Sequence, residues 1–317
     1  MRLCLIGALV FGWAGAAVAQ RPISPAPVAS TLVHGDTTLL SPTLLLATHD
    51  TLIVFDQGDL SLKVLTQDGR LLRKIGRQGS GPGEFQHPVA IVRSTDGSIV
   101  LADEALSRLT WYAIDGKLVR TVALPETPSK VVALAGGQIA VSGRDPLTFS
   151  VYAPTGKIAG KFELHVGDSR RTPLEASLVY ETATASDRRG SAIVAFRWSP
   201  LVVEVSSSGQ QKLLRQAAGN FPRIVREKVA NTKLVSSRID PSASEYTWAA
   251  AVDRRRVFTL SHETAGSTTI HELDREAPNQ WSEFTVPLEA EAIAATDGFL
   301  CLLVSDPLPA VYTYRLW

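Results

Sequence analysis

The sequence predicts an all-β protein: a six-bladed β-propeller of four-stranded antiparallel blades, closed by an N-terminal strand. Three observations point to it. Short β-branched and aromatic runs, such as Thr51 to Phe55, Leu109 to Ala113 and Ala192 to Phe196, are broken repeatedly by Gly, Asp and Pro, as in proteins of many short strands. A proline expected to open a strand recurs at Pro42, Pro88, Pro128, Pro173, Pro241 and Pro287, at intervals of 46, 40, 45, 68 and 46 residues. In phase with it, a polar turn separates two apolar runs at His49-Asp50, Asp96-Gly97, Gly136-Gly137, Arg188-Arg189-Gly190, Asp253-Arg254 and Asp297-Gly298. Both markers count the same six units. One four-stranded sheet cannot bury both its faces, whereas six packed around an axis can, and ring closure leaves only short edges.

The elements follow in order. Residues 1–19 read as an export signal, with Arg2 before an apolar run from Leu3 to Phe11 and Ala17-Val18-Ala19 as the cleavage pattern. A membrane anchor would need about 20 apolar residues, and Gly12 to Gln20 is too small-sided and too short to complete one. Cleavage removes Cys4 and leaves Cys301 alone in the run Leu300 to Val304, so the mature chain is expected to have no internal disulfide and a buried thiol. Residues 20–38 form an N-terminal segment. Within it, Ala29-Ser30-Thr31-Leu32-Val33 is the candidate to supply the outer strand that the last unit lacks. Residues 39–317 form the propeller. Its long fourth interval predicts an insertion around Gln216 to Arg238, where Gly219-Asn220, Pro222, Arg223, Arg226 and Lys228 interrupt the strand rhythm. Later turns in each unit fall at Asp68-Gly69, Asp115-Gly116, Thr155-Gly156 and Ser208-Gly209.

Composition narrows the partners. The 317 residues are 45% hydrophobic and 20% charged, with a formal net charge of +1, which is globular and carries no global basic field. Nucleic acid is therefore not the expected partner. The basic groups Arg188-Arg189 and Arg254-Arg255-Arg256 occupy the same turn of different units and are expected on one rim.

The stretch Ile75 to Leu124 is more specific than the period. Gly76, Gly79, Gly81, Gly83, Phe85 and Pro88 are followed by Asp96-Gly97, Leu101-Ala102-Asp103, Arg108 and Asp115-Gly116. This resembles an NHL repeat, and through it the secreted bacterial six-bladed propellers. The preceding unit follows more loosely, Asp56 aligning with Asp103 and Gly69 with Gly116 at a separation of 47. The glycines are expected to take positive φ and let the chain pass close to its neighbour, Phe85 to fill the gap between blades, and Asp103 to cap a turn or pair with Arg108. At the place of Asp103 the later units carry Gly143, Arg197, Ser261 and Asp306.

The resemblance brings enzymes into view, and each kind makes a demand on the residues. A zinc site of the amidating-lyase type needs histidines from several blades. His87 stands before Pro88, but the matching positions are Ser41, Thr127, Thr172, Asp240 and Val286. A lactonase-type calcium needs six to eight oxygen ligands, for which no set presents itself; Glu175, Asp240 and Glu289 lie near expected strand openings. No G-x-S-x-G, H-E-x-x-H or C-x-x-C pattern occurs. The expectation is thus a secreted or periplasmic binding or scaffold module. It would be monomeric, free of metal and cofactor, and directed at a protein, peptide or glycan of the envelope or exterior. The binding face is placed at His87, Arg144, Arg197 and Arg254. The alternative is a propeller-type lactonase, hydrolase or lyase with a metal at the channel mouth.

Overall fold

A computed structural model of the chain describes residues 29–31, 39–48, 50–166, 173–215, 221–228, 235–262, 265–278, 280–296, 298–306 and 308–316. The export signal expected over residues 1–19 lies outside them. Six four-stranded antiparallel sheets form a six-bladed propeller. The innermost strands are Pro42–Ala47, Pro88–Arg93, Lys130–Ala133, Thr182–Ser186, Ala249–Val252 and Ala292–Thr296. Each touches the next in cyclic order, and the sixth touches the first, so the ring is closed. Blades 1 to 5 run outward in chain order. In blade 6 the outermost strand is Ala29–Thr31, which pairs with Ala310–Arg315 in the register Ala29 to Thr313 and Thr31 to Val311.

The core lies in the seams between blades. Second and third strands face a neighbouring blade on both sides, so Ile99–Asp103 is buried throughout, while the outer strand Leu118–Ala123 alternates between half-buried and exposed. Phe85 fills the first seam as expected: it is buried, meets Phe55 edge-on at 5.6 Å and lies 5.9 Å from Tyr112. A ring of that size buried is worth about 2–3 kcal/mol. Cys301 is buried in the seam between blades 6 and 1, and burial pushes its thiol up to about 11.

The NHL-like unit shows why its residues recur. Asp103 accepts hydrogen bonds from the backbone N–H groups of Gln86 (2.8 Å), His87 (3.2 Å) and Leu106 (3.0 Å), tying the incoming chain to the blade. Asp56 does the same for Leu40 (2.7 Å), Ser41 (2.8 Å) and Gly58 (2.9 Å), and adds a buried ion pair with Lys63 at 2.7 Å. Arg108, however, does not pair with Asp103. Its guanidinium donates to the carbonyls of Ser80 and Gly81, each at 2.9 Å, and to that of Glu84, so it holds the glycine loop instead. Gly76, Gly79 and Gly83 take positive φ; Gly81 does not, and lies under the Glu84 carboxylate that accepts its N–H at 2.8 Å. At Gly76, a Cβ would stand 2.2 Å from the Phe85 ring.

The proline period was only partly a strand marker. Pro42 and Pro88 do open innermost strands, each beside a register shift where a missing N–H breaks no regular ladder. Pro173 instead begins a helix, Pro173–Val179, and blade 4 starts at Thr182. Pro128, Pro241 and Pro287 precede their strands by two to eight residues. Asp306 is exposed at a bend and, among the described residues, makes no Asp103-like cap. The insertion in the long interval contains a hairpin, Ile224–Lys228 with Val235–Ile239. It docks on the helix through Arg226, which pairs with the buried Glu175. No helix among the described residues is long and apolar enough to cross a membrane.

Candidate functional site

The innermost strands of all six blades line a cavity of about 300 Å³ along the ring axis. Most of its wall is Thr, Ala, Val, Leu and Ile, from consecutive residues at the openings of the innermost strands. At the end where those strands begin, the lining becomes ionic, with Lys130 of blade 3, Glu181 and Arg197 of blade 4, Trp248 of blade 5 and Glu291 of blade 6.

Arg197 organises this mouth. Where blades 1 and 2 carry Asp56 and Asp103, blade 4 carries an arginine, and its backbone takes over the tie: Arg197 N donates to Glu181 O at 2.8 Å, and Arg197 O accepts from Tyr246 N at 2.7 Å. The freed side chain turns to the channel. Its Nη1 donates to both oxygens of Glu181, at 3.0 and 3.1 Å, and its Nη2 to Glu245 at 3.1 Å. The guanidinium lies 4.3 Å from the ring centre of Trp248 and 4.9 Å from that of Trp198. Trp248 is still 43% exposed, and its Nε1 donates to Glu291 O at 3.1 Å. Ser305 completes the link to blade 1, donating to Glu291 Oε2 at 2.9 Å and approaching Pro42 O at 3.1 Å.

Lys130 stands at the edge of this network. Burial depresses its pKa most, Glu181 pulls it back up, and the Arg197 charge lowers it again. The result is an amine that gives up its proton more readily than an ordinary surface lysine, beside a fixed carboxylate and a fixed guanidinium. Such an arrangement can move a proton to or from a bound molecule.

The four residues expected to share a face are divided. Arg197 lines the cavity. His87 is on the same rim but outside the cavity, its Nδ1 2.7 Å from Glu104. Arg144 is exposed on that rim, in the turn after Ile139–Ser142. Arg254 lies on the opposite rim, in the turn after Ala249–Val252. Of the carboxylates near expected strand openings, Glu175 pairs with Arg226, Asp240 accepts from Ser242, and Glu289 accepts from Gly266 N; none lines the channel. Lys130, Glu181, Glu245, Trp248 and Glu291 were missed. Their signal was position at the opening of the innermost strands, where Lys130 is a first residue, Glu181, Trp248 and Glu291 stand one residue ahead and Glu245 four. It was hidden because the proline marker placed those strands up to nine residues too early.

A metal at this mouth does not fit the donors. Both Glu181 oxygens and one of Glu245 are bound to Arg197, and Glu291 holds Ser305. Among the described residues no three His, Cys, Asp or Glu side chains converge as a metal set.

The fold and this central cavity define the class: six-bladed β-propellers. A family model described as DUF5128, 6-bladed beta-propeller, matches residues 32–145. No curated protein matches the chain in sequence. Among solved structures, the chain resembles a candidate exported protein of Bacteroides fragilis at 11% identity, covering 93% of this chain and 98% of that one, with a TM-score of 0.58. It also resembles virginiamycin B lyase of Staphylococcus aureus at 11% identity, over 90% of this chain and 97% of the lyase, with a TM-score of 0.55. A catalytically inactive form of that lyase with quinupristin matches at 10% identity over 91% and 99%, with a TM-score of 0.57. At such identities the likeness is one of fold. Lyases recur among these matches over most of the chain, so the expectation of a purely non-catalytic binding scaffold is withdrawn in favour of its alternative, a catalytic propeller.

Proposed function

We propose that this chain is a catalytic propeller of lyase or hydrolase type, which opens an ester or lactone bond in a molecule held at the channel mouth. The observation that carries the reading is Lys130, a lysine depressed by burial and by Arg197 at the edge of a cavity of about 300 Å³. In the proposed reaction Lys130, as the free amine, takes a proton from substrate or water. Glu181 and Glu245 hold Arg197 in place, and Trp248 offers an apolar face. The lyases of like fold support the reading. The substrate is a peptide-like ester or other ligand of the envelope or exterior, not nucleic acid, and the closed ring needs no second copy. The NHL-like pattern of Ile75 to Leu124 belongs to the framework and not to the site.

The test is turnover of quinupristin, simple lactones and aryl esters by the purified chain. Because the base acts deprotonated, the rate is expected to rise with pH along a limb lying below the ordinary lysine range. Lys130→Met is expected to lower kcat/KM by about 10²–10⁴ and to abolish that limb, with the urea midpoint unchanged. A product heavier by one water indicates hydrolysis, and one of unchanged mass indicates elimination. Full activity in Lys130→Met would remove the proposal. The export reading of residues 1–19 is tested by the N-terminus of the chain recovered from outside the cytoplasm, expected at Gln20.

A further inference from the structure

The rim opposite the Lys130 mouth is formed by the turns that follow the innermost strands, and there blades 2, 3 and 4 are drawn together. Gly137 N donates to Thr95 Oγ1 at 2.9 Å, and a Cβ on Gly190 would lie 2.0 Å from Ala135 N. Between these two contacts blade 3 presents only Ala135-Gly136-Gly137, and a Cβ on Gly136 would meet nothing within 4 Å. Gly136 is exposed, with Ala135 half-buried and Gly137 buried beside it.

Two arginines flank it. Arg93 ends the innermost strand of blade 2, and its Nη2 lies 3.7 Å from where a Gly97 Cβ would stand, so the guanidinium reaches over its own turn onto the rim. Arg188 is exposed in the blade 4 turn. Among the described residues neither guanidinium has a hydrogen bond or an ion pair. The carboxylates nearby in the chain are committed elsewhere. Asp187 accepts from Arg189 N and Ser191 N and pairs with Arg275, while Asp96 accepts from Ser98 N and has Arg120 as its charged neighbour. Burial first, and then the charge of Arg188, depress the Arg93 guanidinium, as expected of a half-buried cation without a counter-ion.

We propose that Arg93 and Arg188 form an oxyanion site on this rim, which takes a phosphate or sulfate group. Two planar guanidinium groups supply paired donors to a tetrahedral anion, and the bare Gly136 turn lets that anion approach the backbone. The site is separate from the Lys130 mouth and does not rest on the activity proposed there. Inorganic phosphate, sulfate and a phosphomonoester all present the required oxygens.

The experiment is calorimetric titration of the full chain with inorganic phosphate, sulfate and phenyl phosphate at matched ionic strength. Saturable binding is expected, weakened about tenfold or more in Arg93→Gln and in Arg188→Gln. It should be unchanged in Arg144→Gln, which alters the other rim. Equal binding of phosphate and sulfate supports a general oxyanion site, and tighter binding of phenyl phosphate supports a phosphomonoester ligand. Should Arg93→Gln fail to fold, the exposed Arg188 carries the test alone. No saturable binding of any of the three anions, or binding retained in the folded variants, overturns the proposal.

Discussion

Gly190→Ala is expected to destabilise the ring by about 4 kcal/mol or more, in the range that marks a named structural fault. Two causes add. Gly190 has φ +82°, where an L side chain costs about 1–2 kcal/mol. Its Cβ would also stand 2.0 Å from Ala135 N, 2.4 Å from Ala135 Cα and 2.4 Å from Leu134 C. Those are backbone atoms of the adjoining blade and cannot swing aside. Gly136 separates the two causes, since it has φ +70° with open space around a would-be Cβ, so Gly136→Ala should lose only the conformational part. Urea midpoints of the two variants read the difference. If Gly190→Ala costs no more than Gly136→Ala, blades 3 and 4 do not approach as closely as described.

A second large effect is expected at the next seam. Arg275, in the turn before the outer strand of blade 5, donates to Asp187 at 2.7 Å and pairs with Glu204, both of blade 4. It also donates to the carbonyls of Arg254 (3.1 Å) and Asp253 (3.3 Å). Its side chain is only 11% exposed, and Asp187 is more deeply buried still. Arg275→Met leaves two carboxylates facing each other without a cation, at a cost of about 3–5 kcal/mol. Adding Glu204→Gln to that variant should recover part of the loss, because it removes one of the two stranded charges. Because the cluster is largely desolvated, the loss should depend little on salt, unlike that of a surface pair such as Arg77 with Glu84. Equal stability of Arg275→Met and the unaltered chain would show that the triad does not hold the seam.

These two seams show how unevenly the protein could be read in advance. Turn chemistry is local, so Asp68-Gly69, Asp115-Gly116, Thr155-Gly156 and Ser208-Gly209 stand out in the sequence, and each of these glycines has positive φ in its turn. The Asp56 and Asp103 caps were also legible, because the separation of 47 preserves the same backbone bonds in two blades. The proline period misled in the later blades. A proline ahead of a strand satisfies the same local rule whether it lies one residue or eight before the ladder, and at Pro173 it suited the first turn of a helix equally well.

By itself the sequence determined an all-β chain of six units and the segment that closes the ring, since strand runs, turns and a missing outer strand are each written within a few dozen residues. Tertiary structure decided which residues meet at the mouth. Lys130, Glu181, Arg197, Trp248 and Glu291 come from four blades over 162 residues of chain; Arg197 stood out in the sequence, and each of the others resembles any other polar residue near a strand end. Only closure of the ring brings them to one mouth. There burial and the Arg197 charge lower the Lys130 ammonium, an effect of distance in space that spacing along the chain does not encode.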